Sequence, residues 1–305
     1  MTMLRFPASL FVLLIALLIS ACQQEPDITD EWAAMPKEHQ PALWKVSRNG
    51  RYGYLFGGVH ALPDGLQWYD NAVPGSLQDS ATLVLEIDAR QEDQPIPDTF
   101  RDMGYTPGLP KVPDRISAQL HDEYEEIAEE ADLPDNAFTA QESWATALSL
   151  AGLATTGLGV SKDNGVEAIL TAEARERNLP IVALESAEEQ FSYFDNLSEK
   201  HQTLMLEAVI ADADEAKESY RELLAHWLTG DVAALAETAQ SGMLATGPVR
   251  EALLVARNRA WTEPIAELID SNKRPFVAVG AAHVAGEDSV QAMLAEQGFT
   301  VERLQ

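Results

Sequence analysis

Two segments far apart in the chain share one pattern. Residues 54–61 read YLFGGVHA and residues 277–284 read VAVGAAHV: an apolar run, a glycine, two small residues and a histidine. The runs have the length of strands, and Gly57 and Gly280 let the backbone turn sharply where a strand ends. His60 and His283 should then leave a sheet at the C-terminal ends of strands, where open α/β sheets bind ligands. Glu86 lies in the apolar stretch Thr82–Ile87, and Asp88, two residues on, falls on the same face of an extended chain. Glu185 follows another apolar stretch, Ile181–Leu184. An unpaired carboxylate buried in a sheet is costly, so Glu86 needs a cation, a proton or a donor. Two imidazoles and a glutamate are the ligand set of a common hydrolytic metal site. Nitrogen and oxygen donors without thiolate suit zinc, manganese, cobalt or iron. The same residues also have structural uses. Either histidine can be a hydrogen-bonded residue after a strand, Glu86 can pair with an arginine, and Glu185 can cap the helix that follows it.

Other chemistries are poorly provided for. The chain has no G-x-S-x-G elbow, no H-E-x-x-H, no Walker A motif and no G-x-G-x-x-G after a strand. Gly157-Leu158-Gly159 follows a helical pattern and reads as a helix end. With 21 Lys and Arg against 49 Asp and Glu, the formal charge is −28, which repels phosphate backbones and argues against nucleic-acid partners. Cys22 is the only cysteine, so an internal disulfide and a Cys-based zinc site are excluded within one chain. Its position is informative. Arg5 precedes an unbroken apolar run, Leu10–Ile19, which ends Ile19-Ser20-Ala21-Cys22 and resembles a bacterial lipobox. Residues 1–21 are therefore expected to be a lipoprotein signal peptide, with Cys22 lipidated and N-terminal in the mature chain. Gln23, rather than aspartate, follows the cysteine and points to the outer membrane. The expected location is the cell envelope, lipid-anchored and facing the periplasm.

The elements that must position the candidate residues follow from pattern. The polar, acidic residues 22–40 read as a tether, and residues 41–305 as one α/β domain. Strands are expected at Ala42–Ser47 and Tyr52–Phe56, joined by a turn carrying Asn49-Gly50, then at Thr82–Ile87, Pro180–Leu184, Pro275–Val279 and Phe299–Leu304. Residues 89–115, with five prolines, should be mostly irregular and long enough for a lid. Helical patterns fill Ile116–Ala131, Gln141–Leu153, Gly165–Asn178, Ser198–Leu228 as one helix or a broken one, Val232–Gln240, Val249–Asn272 and Glu287–Gln297. The expected fold is a mixed central sheet built from N- and C-terminal strands, with a helical middle region.

Taken together, the segments resemble the TraB/GumN family, which includes the TIKI proteins. Its signature is matched by Phe56-Gly57-Gly58-Val59-His60, Glu86-Ile87-Asp88, Leu184-Glu185 with Gln190, Arg257-Asn258-Arg259 and Gly280-Ala281-Ala282-His283. Two positions depart from it: Gly58 replaces the usual threonine, and Ala282 the usual second glycine of G-A-G-H. Both keep a small residue beside the histidine. The resemblance implies a fold related to erythromycin-esterase-like and haem-binding ChaN-like proteins. TIKI members are described as divalent-metal proteases in which both G-x-x-H motifs and a glutamate are essential. It thus implies a divalent metal (Mn, Co or Zn) on His60, Glu86 and His283, with Glu86 a ligand or the general base. Asp88, Glu185, Arg257, Asn258 and Arg259 would contact substrate or support the site. The expected activity is that of a metal-dependent, peptidase-like hydrolase on a peptide or protein. The rivals are a lipoprotein that only binds a metal, haem or peptide, and an esterase in which a histidine activates water without metal.

Overall fold

The computed structural model describes Trp32, Met35, Pro36 and residues 39–305. The expected signal peptide, Cys22 and most of the tether lie outside the described residues. Among them, no helix is long and apolar enough to cross a membrane.

The core is a six-stranded mixed sheet. Its strands in chain order are β1 (Leu43–Arg48), β2 (Arg51–Gly58), β4 (Thr82–Leu85), β6 (Ile181–Ala183), β7 (Pro275–Gly280) and β8 (Thr300–Arg303), and across the sheet they run β6-β4-β7-β2-β1-β8. A two-residue pair, β3 (Leu62–Pro63) with β5 (Val160–Ser161), lies apart. The expected hairpin is present. Arg48 pairs with Arg51, and both turn residues have positive φ, 53° at Asn49 and 78° at Gly50, as a two-residue turn with the right twist requires. The four strands β6, β4, β7 and β2 are mutually parallel, and β1 and β8 complete the edge antiparallel.

Apolar alternation explains why the sheet is covered on both faces. Leu83, Leu85, Phe276 and Ala278 point into a large core with the helical middle region, whereas Val84, Val277 and Val279 point into a smaller core with Trp261, Ile265 and Leu294. The middle region runs from the helix Ile96–Met103 to the helix Val232–Thr238.

Several boundaries differ from expectation for local reasons. Residues 89–115 include the helix Ile96–Met103, because Pro95 and Pro97 sit at its start, where proline's fixed φ and missing N–H cost nothing. Over residues 198–228 the broken form of the expected pattern is the one found, divided at Asp212 into Glu199–Ala211 and Ala216–Leu228. The pattern over 249–272 is likewise not one regular helix: Gly247–Arg250 passes through a π-helical turn, Glu251–Val255, into Ala256–Asp270. Thr82–Ile87 stops as a strand at Leu85, which frees Glu86 to turn out of the ladder. Within the stretch expected to be a tether, Trp32 is buried; its indole N–H donates to the Leu158 carbonyl, and its ring packs edge-on against Tyr220.

Candidate functional site

Each of the four parallel strands ends in one of the residues singled out by chemistry. In sheet order these are Glu185 after β6, Glu86 after β4, His283 after β7 and His60 after β2. The parallel direction is what gathers them, since it places all four strand ends on one side of the molecule. Adjacent strands lie about 4.8 Å apart, so β4 and β2 are separated by the width of β7.

Glu86, Glu185, Arg257 and His283 are all buried, and they form one polar network. Glu86 Oε1 accepts from the Gly280 amide at 2.7 Å, and Oε2 accepts from Arg257 Nη2 at 2.7 Å. Glu185 Oε1 accepts from the same Nη2 at 2.5 Å and from Gln190 Nε2 at 2.9 Å, while Oε2 accepts from the Trp261 indole at 3.1 Å. Glu185 thus does not cap the following helix. Ser186 does so, in a capping box with Glu189, leaving the Glu185 side chain to turn inward.

Arg257 and Asn258 follow the π-helical turn and are both fully buried, while Arg259 faces solvent and pairs with Glu251 at 3.2 Å. Such turns are frequent where a helix must aim side chains at a site. Asn258 orients the second histidine. Its Nδ2 donates to the Asp288 carbonyl at 2.7 Å, which fixes the amide and leaves Oδ1 to accept from His283 Nδ1 at 2.6 Å. The proton therefore belongs on Nδ1, and the Nε2 lone pair faces Arg257 Nη1 at 3.2 Å and Glu86 Oε1 at 4.0 Å. The Trp261 ring covers one side of the imidazole at 4.5 Å between centroids.

The charges follow from these contacts. Burial alone would push the Glu86 carboxyl up, but Arg257, with the two histidines and the Gly280 amide, holds it down at about 2. Burial pushes Glu185 up, assisted by the charge on Glu86 and opposed by Arg257. Burial and the neighbouring guanidinium pull His283 down to about 3, so it is neutral at physiological pH.

His60 belongs to a more open half. It is partly exposed and lies with Glu86 in a cavity of about 410 Å³. Its Nδ1 is 2.9 Å from Glu167 Oε1, which accepts no well-aligned hydrogen bond. Burial pulls its pKa down, and the charges of Glu167 and Glu86 together outweigh this, so the net direction is up. The segment carrying His60 is clamped by helices. Trp227 donates to the Gly57 carbonyl at 2.7 Å, Tyr220 to that of Ala61, and the Val166 amide to that of Val59 at 3.0 Å. A Cβ on Gly57 would strike Val284, and one on Gly165 would strike the His60 carbonyl, so both glycines permit close backbone approach.

Asp88 shares burial with Glu86 but not its partners. Arg90 binds it through Nε at 2.9 Å and Nη2 at 2.7 Å, and these hydrogen bonds hold its carboxyl at about 2. Thus Glu86, Glu185, Arg257, Asn258 and His283 converge, His60 stands across the cavity, and Asp88 and Arg259 are paired elsewhere. Among the described residues, no three His, Cys, Asp or Glu side chains gather closely enough to hold a metal ion. Sequence reasoning missed Glu167, Gly165 and Trp261. Only Trp261 carried a usable signal, since it lies four residues after Arg257 and thus on the same helical face.

The chain is 24% identical over 270 residues to a protein from Shigella flexneri described as "Uncharacterized protein YbaP", and equally to its counterpart in Escherichia coli (strain K12). Each alignment covers 86% of this chain and 96% of the relative. No solved structure gives a significant match. The model of the TraB/PrgY/gumN family matches residues 42–303, and the chain belongs to that family.

Proposed function

We propose that the chain is an envelope lipoprotein with hydrolase activity, peptidase-like, acting in the cavity at the ends of the parallel strands and assisted by a divalent cation on His60, Glu86 and His283. The observation that carries this reading is the preset state of His283. It is neutral, its proton is held on Nδ1 by Asn258, and its Nε2 lone pair faces the ionised Glu86 at 4.0 Å. A metal-binding histidine is commonly oriented in this way, by a donor–acceptor pair on its other ring nitrogen.

The donor chemistry fits a divalent ion. A carboxylate and a neutral imidazole are donor types that such an ion takes, and to bind it His283 Nε2 would give up its 3.2 Å contact with Arg257 Nη1. His60 would supply the third donor from β2 by turning its Nε2 inward. When bound, the ion supplies Lewis acidity and a water of lowered pKa. The protein's own residues do the remainder. Arg257 keeps Glu86 ionised, Asn258 keeps His283 in one tautomer, and Glu167, 2.9 Å from His60 Nδ1, would hold His60 in one orientation and can take up a proton at the cavity wall. The anchor at Cys22 and the periplasm-facing location belong to the same proposal and are supported by the lipobox-like segment.

One observation favours a second reading. The 2.9 Å approach of Glu167 to His60 resembles a carboxylate–histidine base, which could activate water without metal. Metal content, chelator sensitivity and peptide-library turnover decide between the two, measured on wild type, His60→Ala, His283→Ala, Glu86→Gln and Glu167→Gln. The first reading expects bound divalent metal, loss of turnover with chelator, and loss of metal in both histidine variants. Chelator-resistant turnover that disappears in His60→Ala and Glu167→Gln would establish the second. Unchanged turnover in all variants would refute both. Palmitate labelling of Cys22→Ser tests the anchor, and label retained by that variant would exclude it.

A further inference from the structure

The segment Gly157-Leu158-Gly159 takes no part in the chemistry proposed above, yet it bears on His60. Both glycines have positive φ, 87° and 64°, so the chain turns on either side of Leu158. The Leu158 carbonyl accepts from the buried indole N–H of Trp32 at 3.1 Å. Two residues on, Val160–Ser161 pairs with Leu62–Pro63, which is separated from His60 by Ala61 alone. The same indole reaches that segment by a second route. Its ring packs edge-on against Tyr220 at 6.3 Å between centroids, and the Tyr220 hydroxyl donates to the Ala61 carbonyl. Arg221 lies over the ring at 5.9 Å.

Both partners of the His60–Glu167 contact are thus reached from one side chain. Tyr220 and Ala61 lead to His60. Leu158 and Val160–Ser161 lead through the turn Lys162–Asn164 to Gly165, which packs on the His60 carbonyl, and then to Glu167. This half of the site has no buried ionic network of the kind that fixes Glu86 and His283, so its geometry depends on the backbones that carry it. A large ring with few rotamers and a satisfied N–H is suited to fixing them. Trp32 lies before residues 42–303, which the family model matches, and residues 23–31 separate it from Cys22. Its segment keeps to the helix Ala216–Leu228, where the Gln40 amide donates to the Leu228 carbonyl at 2.7 Å.

We propose that Trp32 is a positioning residue for the His60–Glu167 pair, so that the segment leading from Cys22 to the domain belongs to the framework of the site. This rests on reading the cavity as the active site.

The test uses detergent-solubilised full-length protein as wild type, Trp32→Ala, Trp32→Phe, Tyr220→Phe and Trp44→Phe. Trp44 is buried in the smaller core and is the control for lost aromatic packing. Amide hydrogen exchange is followed by mass spectrometry in residues 57–63, 158–167 and 275–284, and modification of His60 and His283 by diethyl pyrocarbonate in the same way. In Trp32→Ala, exchange in the first two segments should rise about tenfold and His60 should react faster, while residues 275–284 and His283 stay as in wild type. Trp32→Phe keeps a ring and loses the bond to Leu158, so its smaller rise should be largest in residues 158–167; this variant carries the test if Trp32→Ala does not fold. Tyr220→Phe should act mainly on residues 57–63. Trp44→Phe should lower the melting temperature and change neither segment. Peptide turnover should fall about tenfold in Trp32→Ala, because a small misplacement of a reacting group is costly. Unchanged exchange and modification in the Trp32 variants would overturn the proposal. So would a rise that is equal in residues 275–284 or reproduced by Trp44→Phe, since either is loss of stability alone. The expected changes without turnover of any peptide by wild type would keep the positioning role and refute the hydrolase. Turnover lost in the Trp32 variants without those changes would do the reverse.

Discussion

On the Glu86 side of the site, every charged group is engaged: one guanidinium serves two carboxylates, an indole and a glutamine complete Glu185, and His283 is held at both ring nitrogens. On the His60 side, a partly exposed imidazole meets one carboxylate without an aligned hydrogen bond, at the wall of an open cavity. The first half is rigid because each buried charge depends on another. The second half is open because solvent, or a ligand, can supply what the protein does not. The difference separates a closed half that presets protonation states from a half that solvent can enter.

Mutations should divide along the same line. Arg257→Met is expected to have the largest effect, because it strands two buried carboxylates. Urea unfolding at pH 7 should show a loss of ~3–5 kcal/mol. A loss below ~1 kcal/mol would mean that solvent already reaches Glu86 and Glu185.

Asn258→Ala should cost ~1–3 kcal/mol, since it leaves His283 Nδ1–H without its acceptor inside the core. Nitrogen NMR of the imidazole should show the fixed Nδ1–H tautomer of the wild type giving way to a mixture. An unchanged tautomer would assign the orientation of His283 to Arg257 instead.

A third carboxylate sharpens the contrast, because it is partly buried and, among the described residues, has no cation. Asp212 caps the C-terminus of the helix Glu199–Ala211, where the helix dipole opposes a negative charge. Burial, with Glu215 nearby, raises its carboxyl to about 6. The sign follows from proton uptake. Between its ordinary value near 4 and about 6, the folded chain holds a proton that the unfolded chain has released, so this group's contribution to stability is lost as pH rises through that window. Asp212→Asn should therefore stabilise the protein at pH 7 by ~1–2 kcal/mol, discounted for partial exposure, and by much less at pH 4. Melting temperatures at the two pH values check this, and an equal gain at both would remove the titration argument.

His60→Gln should be the mildest change, within ~1 kcal/mol of wild-type stability by denaturant titration, because its environment is open. A loss as large as that of Arg257→Met would erase the distinction between the two halves.

Much of the site was legible in the chain. The matched G-x-x-H segments placed both histidines after strands, and the charge of Glu86 within apolar neighbours announced a buried partner. An arginine was one of the partners it could take, and Arg257 fills that place. The inward turn of Glu185 was not foreseeable from local pattern, because an acidic residue before a helix is usually a cap, and only the neighbouring Ser186 and Glu189 took that role. Glu167 and Gly165 were missed because their relation to His60 spans about a hundred residues of sequence. Nothing in a helix that begins Val-Glu-Ala-Ile shows which strand end it will meet.

The chain by itself determined the period-two alternation that buries the sheet on both faces, the Asn49-Gly50 turn that sets the β1–β2 register, and the glycine at position 57 that lets Val284 pack close against β2. These are local consequences of side-chain direction and backbone freedom. Only the tertiary structure decided that β6, β4, β7 and β2 lie side by side and parallel, and so that Glu185, Glu86, His283 and His60 share one side of the sheet. It also decided that Arg257 comes to lie between two of those strand ends and the second histidine. Strand order is set by how helices of the middle region cover the faces, a packing of distant segments that no window of sequence contains, and the state of every charge in the site depends on that order.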